Sequence, residues 1–359
     1  MSKISRNKKE LRWESETLYF NGDAYFDTAL EAISSAKTRV WIEMYSIDES
    51  PLAFRLFDAL EDAVHRGLEV RLIFDAIGSL NWAGTLEFEL LARGIRYHIY
   101  HPILLLRRVN SRNHRKVILI DDDKLFTGSR NWVAEHSEAA SGKEVWCDVS
   151  VALESVEEVK RIEKEFLWIW GDHKRRPYRG HLSRSNLFRA WRRKNIRDFY
   201  LNILKAGAEL TLVTPYFVPT VFFLTLLRFA ARHGTEVRIV LPRVSDVPVV
   251  RWVSQSYYRR LLKYGVRIYE YQASILHAKI AFSSNWIEMG STNLNYRSFF
   301  KDLELDVRLT SPESRKQLEI WFKKTILPNS REIKMTEVSA QPYWQKVIGF
   351  LLRRLRFWM

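Results

Sequence analysis

The sequence is short of cysteine and of long apolar runs, and each shortage narrows what the chain can be. A single cysteine, Cys147, excludes a disulfide within the chain and a zinc site built from several cysteines. The longest apolar stretches, around 221–227 and 347–352, are much shorter than the roughly 20 residues that span a bilayer. The polar, basic segment 1–11 predicts neither a secretory signal nor a membrane span. Any membrane contact is therefore expected to be peripheral.

Acidic residues are too few to balance the basic ones: 57 Lys and Arg stand against 42 Asp and Glu, a formal charge of +15. Such a surface attracts phosphate-rich polymers and anionic lipid headgroups alike. The composition therefore predicts an anionic partner but leaves nucleic acid and membrane as alternatives. With 359 residues, of which 47% are apolar, the chain exceeds the usual size of a single core, so two folded lobes are expected.

Short β-rich runs alternate with amphipathic helical runs along the chain, a pattern typical of α/β folds. The alternation starts again after a strongly basic stretch, whose arginines form either a solvated face or a contact with an anionic surface. We therefore predict a first lobe over residues 1–172, a basic connection over 173–194, a second lobe over 195–335 and a basic amphipathic helix over 340–359.

One motif occurs once in each lobe. The first copy is the His-x-Lys sequence at 114–116, followed by Gly-Ser-x-Asn at 128–131. The second copy is His-x-Lys at 277–279, followed by Gly-Ser-x-Asn at 290–293. The histidine and the asparagine are 17 residues apart in the first copy and 16 in the second. Chance explains two such copies poorly, so the sequence predicts two half-sites in duplicated lobes.

Each His-x-Lys pair suits phosphodiester chemistry. Side chains alternate along a strand, so an imidazole and an ammonium two residues apart point into the same pocket. Apolar residues follow both pairs, at 117–120 and 280–282, and predict buried strands that hold them rigidly. The hydroxyls and amides expected to bind a tetrahedral phosphate are those of Ser129, Asn131, Ser291 and Asn293.

The paired motifs resemble the HKD motifs of the phospholipase D superfamily. Further blocks resemble bacterial cardiolipin synthases in the same order, at 110–116, 214–219, 265–271 and 276–279. The resemblance covers most of the chain from about Leu18 to Arg308. It implies an α/β fold of two similar phospholipase D-like lobes, each a mixed β-sheet flanked by helices, that share one central active site.

The resemblance also implies a phosphatidyltransferase that works through a covalent phosphohistidine and uses no metal or other cofactor. His114 is expected to be the nucleophile and His277 the general acid, although the reverse assignment stays open. Lys116 and Lys279 are expected to bind the non-bridging phosphate oxygens as charge develops on them. Asp121 completes the first motif and belongs to the expected catalytic set.

A nucleophilic histidine needs a carboxylate on its other nitrogen to fix its tautomer. The resemblance assigns this role to Asp148 and Glu304, although either is equally an ordinary carboxylate on a strand edge. Ser284 stands where the second motif would carry its aspartate, and Thr220 replaces an acidic residue that often follows the block at 214–219. Other histidines are expected to be surface or packing residues, namely His65, His98, His136 and His173.

Contact with lipid is predicted chiefly at the C-terminal segment, where apolar residues recur every three or four positions between basic ones. The apolar set is Trp344, Val347, Ile348, Leu351, Leu352, Leu355 and Trp358, and the basic set is Lys346, Arg353, Arg354 and Arg356. Such a helix suits an anionic bilayer surface but equally a dock on the catalytic core. Further candidates are Trp168, Trp170 and the run 103–106 beside Arg107 and Arg108.

Together with the composition, the resemblance implies a peripheral enzyme at the cytoplasmic face of the cell membrane, with phosphatidylglycerol or a similar phospholipid as its substrate. Hydrolysis at the same phosphohistidine is the nearest alternative. A nucleic-acid substrate is disfavoured by the synthase-like blocks. A lipid-binding pseudoenzyme, suggested by Ser284, is disfavoured because both His-x-Lys pairs remain. No cluster has the spacing of metal ligands, so no metal is expected.

Overall fold

The first lobe is a mixed seven-stranded sheet with helices packed on it. The computed structural model describes residues 12–82, 84–102, 110–142, 145–340, 351–352 and 354. The strands of this lobe are β1 (Ser15–Tyr19), β2 (Arg39–Met44), β3 (Glu69–Asp75), β4 (Arg96–Tyr100), β5 (Val117–Ile120), β6 (Lys124–Gly128) and β7 (Ser150–Glu154). Its helices are α1 (Gly22–Ser35), α2 (Pro51–His65), α3 (Thr85–Ala92), α4 (Glu138–Ser141) and α5 (Val156–Trp170).

The second lobe is a mixed eight-stranded sheet. Its strands are β8 (Ser183–Ser185), β9 (Glu209–Val213), β10 (Glu236–Pro242), β11 (Arg267–Tyr271), β12 (Ile280–Ser283), β13 (Ile287–Gly290), β14 (Leu305–Leu309) and β15 (Ser330–Glu332). Its helices are α6 (Arg189–Leu204), α7 (Val221–Arg232), α8 (Pro248–Lys263), α9 (Tyr296–Phe300), α10 (Pro312–Trp321) and α11 (Met335–Ala340). Thr220, which replaces the expected acidic residue, caps α7 by accepting a hydrogen bond from the backbone of Phe223.

The two sheets share one strand order. The first runs β1-β7-β6-β5-β2-β3-β4, and the second runs β8-β14-β13-β12-β9-β10-β11 with β15 added at the end. In each sheet three parallel strands, β2–β4 or β9–β11, meet an antiparallel half. The predicted pair of similar mixed-sheet lobes is therefore confirmed.

The lobes meet across a shared core. Residues from the antiparallel strands of both sheets form one central apolar cluster together with α5 and α10. Two further clusters lie on the outer faces, one under α1–α3 and one under α6–α8. Two separate outer cores and one shared inner core hold the lobes in fixed relation, which is what a site built from both of them requires.

The basic segment 173–194 does more than connect the lobes. It contains β8, which pairs with β14 at the edge of the second sheet, and the first residues of α6. The second lobe thus begins before the predicted position 195. Buried Glu158 of α5 accepts hydrogen bonds from the backbone of His181 and Leu182, so the segment is also tied to the first lobe.

The predicted lipid-contact segments fall largely outside the described residues. This holds for 103–108 and for most of 340–359, of which Leu352 is partly buried against the outer core of the second lobe. Trp170 packs against the central core, and the ring of Trp168 contacts that of Phe188. Among the residues that the structure describes, no helix combines the length and apolar character that crossing a bilayer demands.

Candidate active site

Both His-x-Lys pairs lie where the parallel strands of their sheet end. His114 and Lys116 immediately precede β5, which runs antiparallel to β2 with Val117 opposite Glu43. His277 precedes β12, which is antiparallel to β9 in the same way. Each pair therefore sits at the carboxyl edge of its parallel strands, the edge at which open α/β sheets commonly bind ligands.

The backbone of each lobe reaches across to the other beside its histidine. The amide of His114 donates to the carbonyl of Leu303, and the amide of His277 donates to the carbonyl of Cys147. Because Glu304 follows Leu303 and Asp148 follows Cys147, these two contacts bring each histidine next to a carboxylate of the opposite lobe. The crossing is symmetric and merges the two half-sites into one.

His114 retains access to the site mouth while its Nδ1 is held. Nδ1 lies 3.0 Å from the backbone oxygen of Ser291 and 3.1 Å from Oε2 of Glu304. The Ser291 hydroxyl donates to the same carboxylate. Acceptors on Nδ1 require its proton there, which leaves Nε2 with a free lone pair. The His114 side chain is 14% exposed against 5% for His277, so it is the more accessible of the two.

His277 makes the tighter carboxylate contact. Its Nδ1 lies 2.6 Å from Oδ2 of Asp148, and the Ser129 hydroxyl donates to the other oxygen of that carboxylate. The backbone amide of Val149 donates to Asp148 as well, at 2.8 Å. Asp148 is thereby fixed by its own lobe and presented to the histidine of the other, the arrangement that orients an imidazole for proton transfer.

The two lysines complete the centre. Nζ of Lys116 donates to the His114 carbonyl at 2.8 Å and lies 5.1 Å from the centre of the Tyr45 ring. Nζ of Lys279 donates to the His277 carbonyl at 2.8 Å and lies 3.0 Å from Nε2 of the same histidine. Both ammonium groups are buried, and two buried cations at one spot favour an anion between them.

The two asparagines are buried beside these groups. Neither Oδ1 of Asn131 nor Oδ1 of Asn293 accepts a hydrogen bond from any residue that the structure describes. A buried amide with an unused polar atom costs free energy unless a ligand or water satisfies it. The structure thus gathers ten of the eleven predicted site residues, but the hydroxyls of Ser129 and Ser291, predicted to bind phosphate, donate to the two histidine-bound carboxylates instead.

Burial and the two lysines set the protonation of the histidines. Burial, then the charges of Lys116 and Lys279, lower the pKa of His114 well below its ordinary value. Burial and Lys279 also lower the pKa of His277, but the Asp148 carboxylate opposes them. Both imidazoles are therefore neutral near pH 7, and His277 is the one that an adjacent anion helps to become charged.

The lysines and carboxylates are perturbed in turn. Burial and the neighbouring lysine lower the pKa of Lys116, and burial lowers that of Lys279 to about 8 against the pull of Asp148. Burial would raise the pKa of Asp148, yet the contact with His277 outweighs it and lowers that pKa far below its ordinary range. Burial raises the pKa of Glu304 to about 7. The two carboxylates thus differ in charge at neutral pH.

Asp121, predicted to be catalytic, lies away from this centre and is a structural residue. It follows β5, about 17 Å along an extended chain from Lys116. Its carboxylate accepts hydrogen bonds from the backbone amides of Lys37, Thr38 and Arg39, at the start of β2. In the second lobe Asn285, next to Ser284, donates instead to the Lys205 carbonyl ahead of β9. The missing aspartate is therefore compensated far from the chemistry.

His136 is the active-centre residue that sequence reasoning missed. It is 1% exposed, its Nδ1 lies 3.5 Å from Oδ2 of Asp148, and its ring centre is 5.1 Å from that of His277. Neither ring nitrogen hydrogen bonds to a described residue. The signal that could have found it is its position five residues after Asn131, which matches Ser298 five residues after Asn293. His65, His98 and His173 lie outside the centre as predicted packing or surface residues.

One group of side chains in this centre has the donor types of a metal site. The ligand atoms of His136, Asp148 and His277 lie within 4.8 Å of one another, the one such group of three found in the described part of the chain. Two imidazoles and a carboxylate suit Zn²⁺ or a similar ion. Oδ2 of Asp148 already accepts a hydrogen bond from Nδ1 of His277, so the same geometry also suits proton transfer without an ion.

Comparison with known proteins gives a consistent result. A family model described as cardiolipin synthase, PLD-like domain, matches residues 29–170 and 201–326. Cardiolipin synthase B of Escherichia coli (strain K12) is 30% identical over 345 residues, which cover 90% of this chain and 83% of that protein. Cardiolipin synthase 2 of Bacillus anthracis is 28% identical over 368 residues, 95% of this chain and 70% of that protein. The crystal structure of phosphatidylserine synthase from Haemophilus influenzae Rd KW20 superimposes with a TM-score of 0.73 at 14% identity, covering 96% of this chain and 94% of that one, a likeness of fold.

Proposed function

Because the chain belongs to the cardiolipin synthase, PLD-like domain family, we propose that it transfers a phosphatidyl group from phosphatidylglycerol, or a related phospholipid, to an alcohol acceptor. The enzyme is a phosphatidyltransferase of the phospholipase D superfamily. The observation that carries the proposal is the crossed pairing of two imidazoles, one partly exposed and one buried, with carboxylates of opposite lobes beside two buried lysines.

In the first displacement, Nε2 of His114 attacks the phosphorus of the donor lipid. The bond from phosphorus to the oxygen of the headgroup glycerol breaks, and the diacylglycerol stays on phosphorus. His277, protonated when substrate is bound, gives its Nε2 proton to the departing oxygen. Ionised Asp148 supports the imidazolium form of His277. His114 suits the role of nucleophile because its lowered pKa keeps it neutral and its side chain is the more exposed of the two.

In the second displacement, the acceptor hydroxyl gives its proton to His277 and attacks phosphorus, and the phosphorus–nitrogen bond to His114 breaks. Lys116 and Lys279 bind the non-bridging oxygens, and Asn131 and Asn293 offer the N–H donors of their side-chain amides. Movement of the Lys279 ammonium onto the phosphate frees Nε2 of His277 for proton transfer. Water in place of the alcohol would give phosphatidic acid from the same intermediate.

The proposal includes a place of action: the cytoplasmic face of the cell membrane, where the enzyme binds peripherally and meets its lipid. Purified protein with phosphatidylglycerol vesicles, with and without phosphatidylethanolamine, tests the activity by mass spectrometry of the lipids. Cardiolipin formed by wild type and lost in His114→Ala and His277→Ala is the expected result. Phosphatidic acid alone would mean hydrolysis, and no lipid turnover would turn attention to nucleic acid or to a pseudoenzyme.

A further inference from the structure

Exposed apolar side chains collect at the edge where the active site lies. In the first lobe they occupy the loop after β3 and the helix that follows it, with Leu80 55% and Phe88 75% exposed. Ile77 and Leu91 belong to the same group. The loop starts at the carboxyl end of β3, where Asp75 accepts a hydrogen bond from the amide of Asn113, next to His114. The loop that carries the first of these side chains therefore begins beside the catalytic centre.

The second lobe repeats the pattern at the equivalent strand. The loop after β10 and the first turns of α7 and α8 expose Val221, Phe222, Val244, Val247, Val249 and Trp252. Phe222 is 59% and Val244 60% exposed. We call this set and its first-lobe counterpart the apolar rim. Packing explains none of it, because each helix buries a different stripe, such as Leu86 and Leu90 in α3 or Phe223, Leu224 and Leu227 in α7.

The second-lobe loop is directly linked to the catalytic groups. The hydroxyl of Tyr216 donates to Asp246 of this loop, and the charge of Asp246 acts on Lys279. The ring centre of Tyr45, which follows β2, lies 4.8 Å from that of His114, and Tyr216 follows β9, so residues after both strands border the mouth. The two halves of the rim thus lie on either side of one opening.

Positive charge accompanies the rim on the second lobe. Arg243, Arg251, Arg331 and Trp252 line a pocket of about 280 Å³ beside the buried carboxylate of Glu270. Arg243 and Arg251 lie 3.8 and 4.0 Å from Glu270, at the outer limit of an ion pair. Nε of Arg251 is buried with no partner among the described residues. Glu337 also lines the pocket and pairs with Arg331 at 2.9 Å, so three arginines face two carboxylates, which leaves positive charge for a further anion.

From these observations we propose that the apolar rim is the membrane-binding surface, and that it seats on an anionic bilayer with the catalytic mouth facing the lipid. The rim side chains enter the boundary between headgroups and acyl chains, and the arginines at Glu270 bind a lipid phosphate. Large exposed apolar surfaces on a soluble domain mark such contacts. The orientation lets a headgroup reach His114 while its acyl chains remain in the bilayer. The inference rests on the proposed function for its choice of lipid as partner.

The test compares rim variants with a matched pair on the opposite edge. Phe88→Ser combined with Phe222→Ser removes two rim side chains, one per lobe. Leu201→Ser combined with Leu204→Ser removes two side chains of α6 that are each 42% exposed but lie near the amino end of β9. Affinity for vesicles of phosphatidylglycerol and phosphatidylcholine is measured by flotation. Activity is measured on those vesicles and on short-chain phosphatidylglycerol below its critical micelle concentration.

The rim pair is expected to lose at least tenfold in vesicle affinity and in vesicle activity, while activity on the monomeric lipid stays within about twofold of wild type. The α6 pair is expected to match wild type in every assay. Arg243→Ala is expected to weaken binding severalfold on vesicles with phosphatidylglycerol and not on pure phosphatidylcholine, which separates the phosphate contact from apolar insertion.

Two results would overturn the inference. One is equal vesicle binding by wild type and the rim pair, and the other is an equal loss in the α6 pair. Sedimentation of the same variants shows whether the rim instead joins two copies of this chain, because the rim pair would then convert a dimer to a monomer without changing vesicle affinity. If no variant turns over any lipid, the proposed function fails, yet flotation still decides where the membrane binds.

Discussion

In each half-site a carboxylate contacts a serine, a motif histidine and one further side chain. The two half-sites differ in that further side chain. Asp148 contacts Ser129, His277 and His136, whereas Glu304 contacts Ser291, His114 and Ser298. An imidazole in the first lobe thus corresponds to a hydroxyl in the second. Duplication has given the same backbone frame twice, and a few side chains make the two copies unequal.

The inequality is electrostatic. The pKa of Asp148 lies far below its ordinary range, because contact with His277 outweighs burial, whereas burial raises the pKa of Glu304 to about 7. An ionised partner stabilises an imidazolium, and a partner that is half protonated does so less. The comparison favours His277 as the group that carries a proton and His114 as the group that stays neutral and attacks.

The largest test of this division separates nucleophile from acid by the leaving group. On phosphatidylglycerol, His114→Gln and His277→Gln should both lose at least about 10³-fold in kcat. On a phosphatidyl ester of p-nitrophenol, which leaves without protonation, His277→Gln should still form a covalent adduct and accumulate it. Intact-mass analysis under neutral quench measures that adduct. An adduct that forms in His114→Gln and not in His277→Gln would reverse the assignment.

Exchange of each carboxylate for an amide should also distinguish the two half-sites, with smaller losses of kcat than the histidine variants show. Asp148→Asn should lower kcat by about 10²-fold or more, because the amide neither stabilises the imidazolium nor fixes the tautomer of His277. Glu304→Gln should lower kcat only about tenfold, since Nδ1 of His114 keeps the Ser291 carbonyl as an acceptor. Steady-state kinetics on vesicles decides, and equal losses in the two variants would remove the electrostatic distinction.

The pH dependence of the free energy of unfolding tests the raised pKa of Glu304 independently of catalysis. The pKa of Glu304 is about 7 when folded and 4.5 for the ordinary side chain. Between these values the folded protein holds a proton that the unfolded chain has released, so the free energy of unfolding falls as pH rises from about 4.5 to 7. Glu304→Gln removes this loss and should gain about 1–3 kcal/mol relative to wild type between pH 5 and 8.

Urea unfolding at the two pH values measures the difference. Asp306, whose pKa is also raised to about 7, contributes in the same direction and stays in both proteins. Comparison of variant with wild type at each pH therefore isolates Glu304. A difference that does not change between pH 5 and 8 would mean that Glu304 is already ionised when folded.

The sequence reveals the strands and the paired motifs because both depend on local pattern. Apolar runs at 117–120 and 280–282 form β5 and most of β12, and the His-x-Lys spacing places both side chains toward one pocket. The crossed pairing is not local: His114 meets Glu304 only because the backbone at 113 bridges that at 303. His136 escapes for the same reason, since its neighbour His277 belongs to the other lobe.

A more modest effect on activity is expected at His136, the third residue in contact with Asp148. His136→Phe keeps the packing against Trp146 but removes the nitrogen 3.5 Å from Asp148, which then serves His277 alone. The pKa of His277 should rise, and because His277 must be protonated to act as the acid, the alkaline limb of kcat/KM should move to higher pH by about half a unit to one unit, with kcat within about tenfold of wild type. Ser298→Ala, the counterpart in the second lobe, should leave that limb in place. A pH profile identical to wild type would reduce His136 to packing.

The smallest expected effect lies at the end of β5 and β12 that is remote from the active site. There the two lobes use different hydrogen bonds to hold the turn that follows the strand. Asp121→Asn keeps the shape and the left-handed backbone at φ 51° but removes the charge that accepts from Lys37, Thr38 and Arg39. It should cost about 1–2 kcal/mol of unfolding free energy and leave kcat unchanged. Asn285→Ala should cost about 1 kcal/mol, and Ser284→Ala close to none. If Asp121→Asn instead lowered kcat at unchanged stability, the first motif would need its aspartate for chemistry, and the two lobes would differ in mechanism as well as in support.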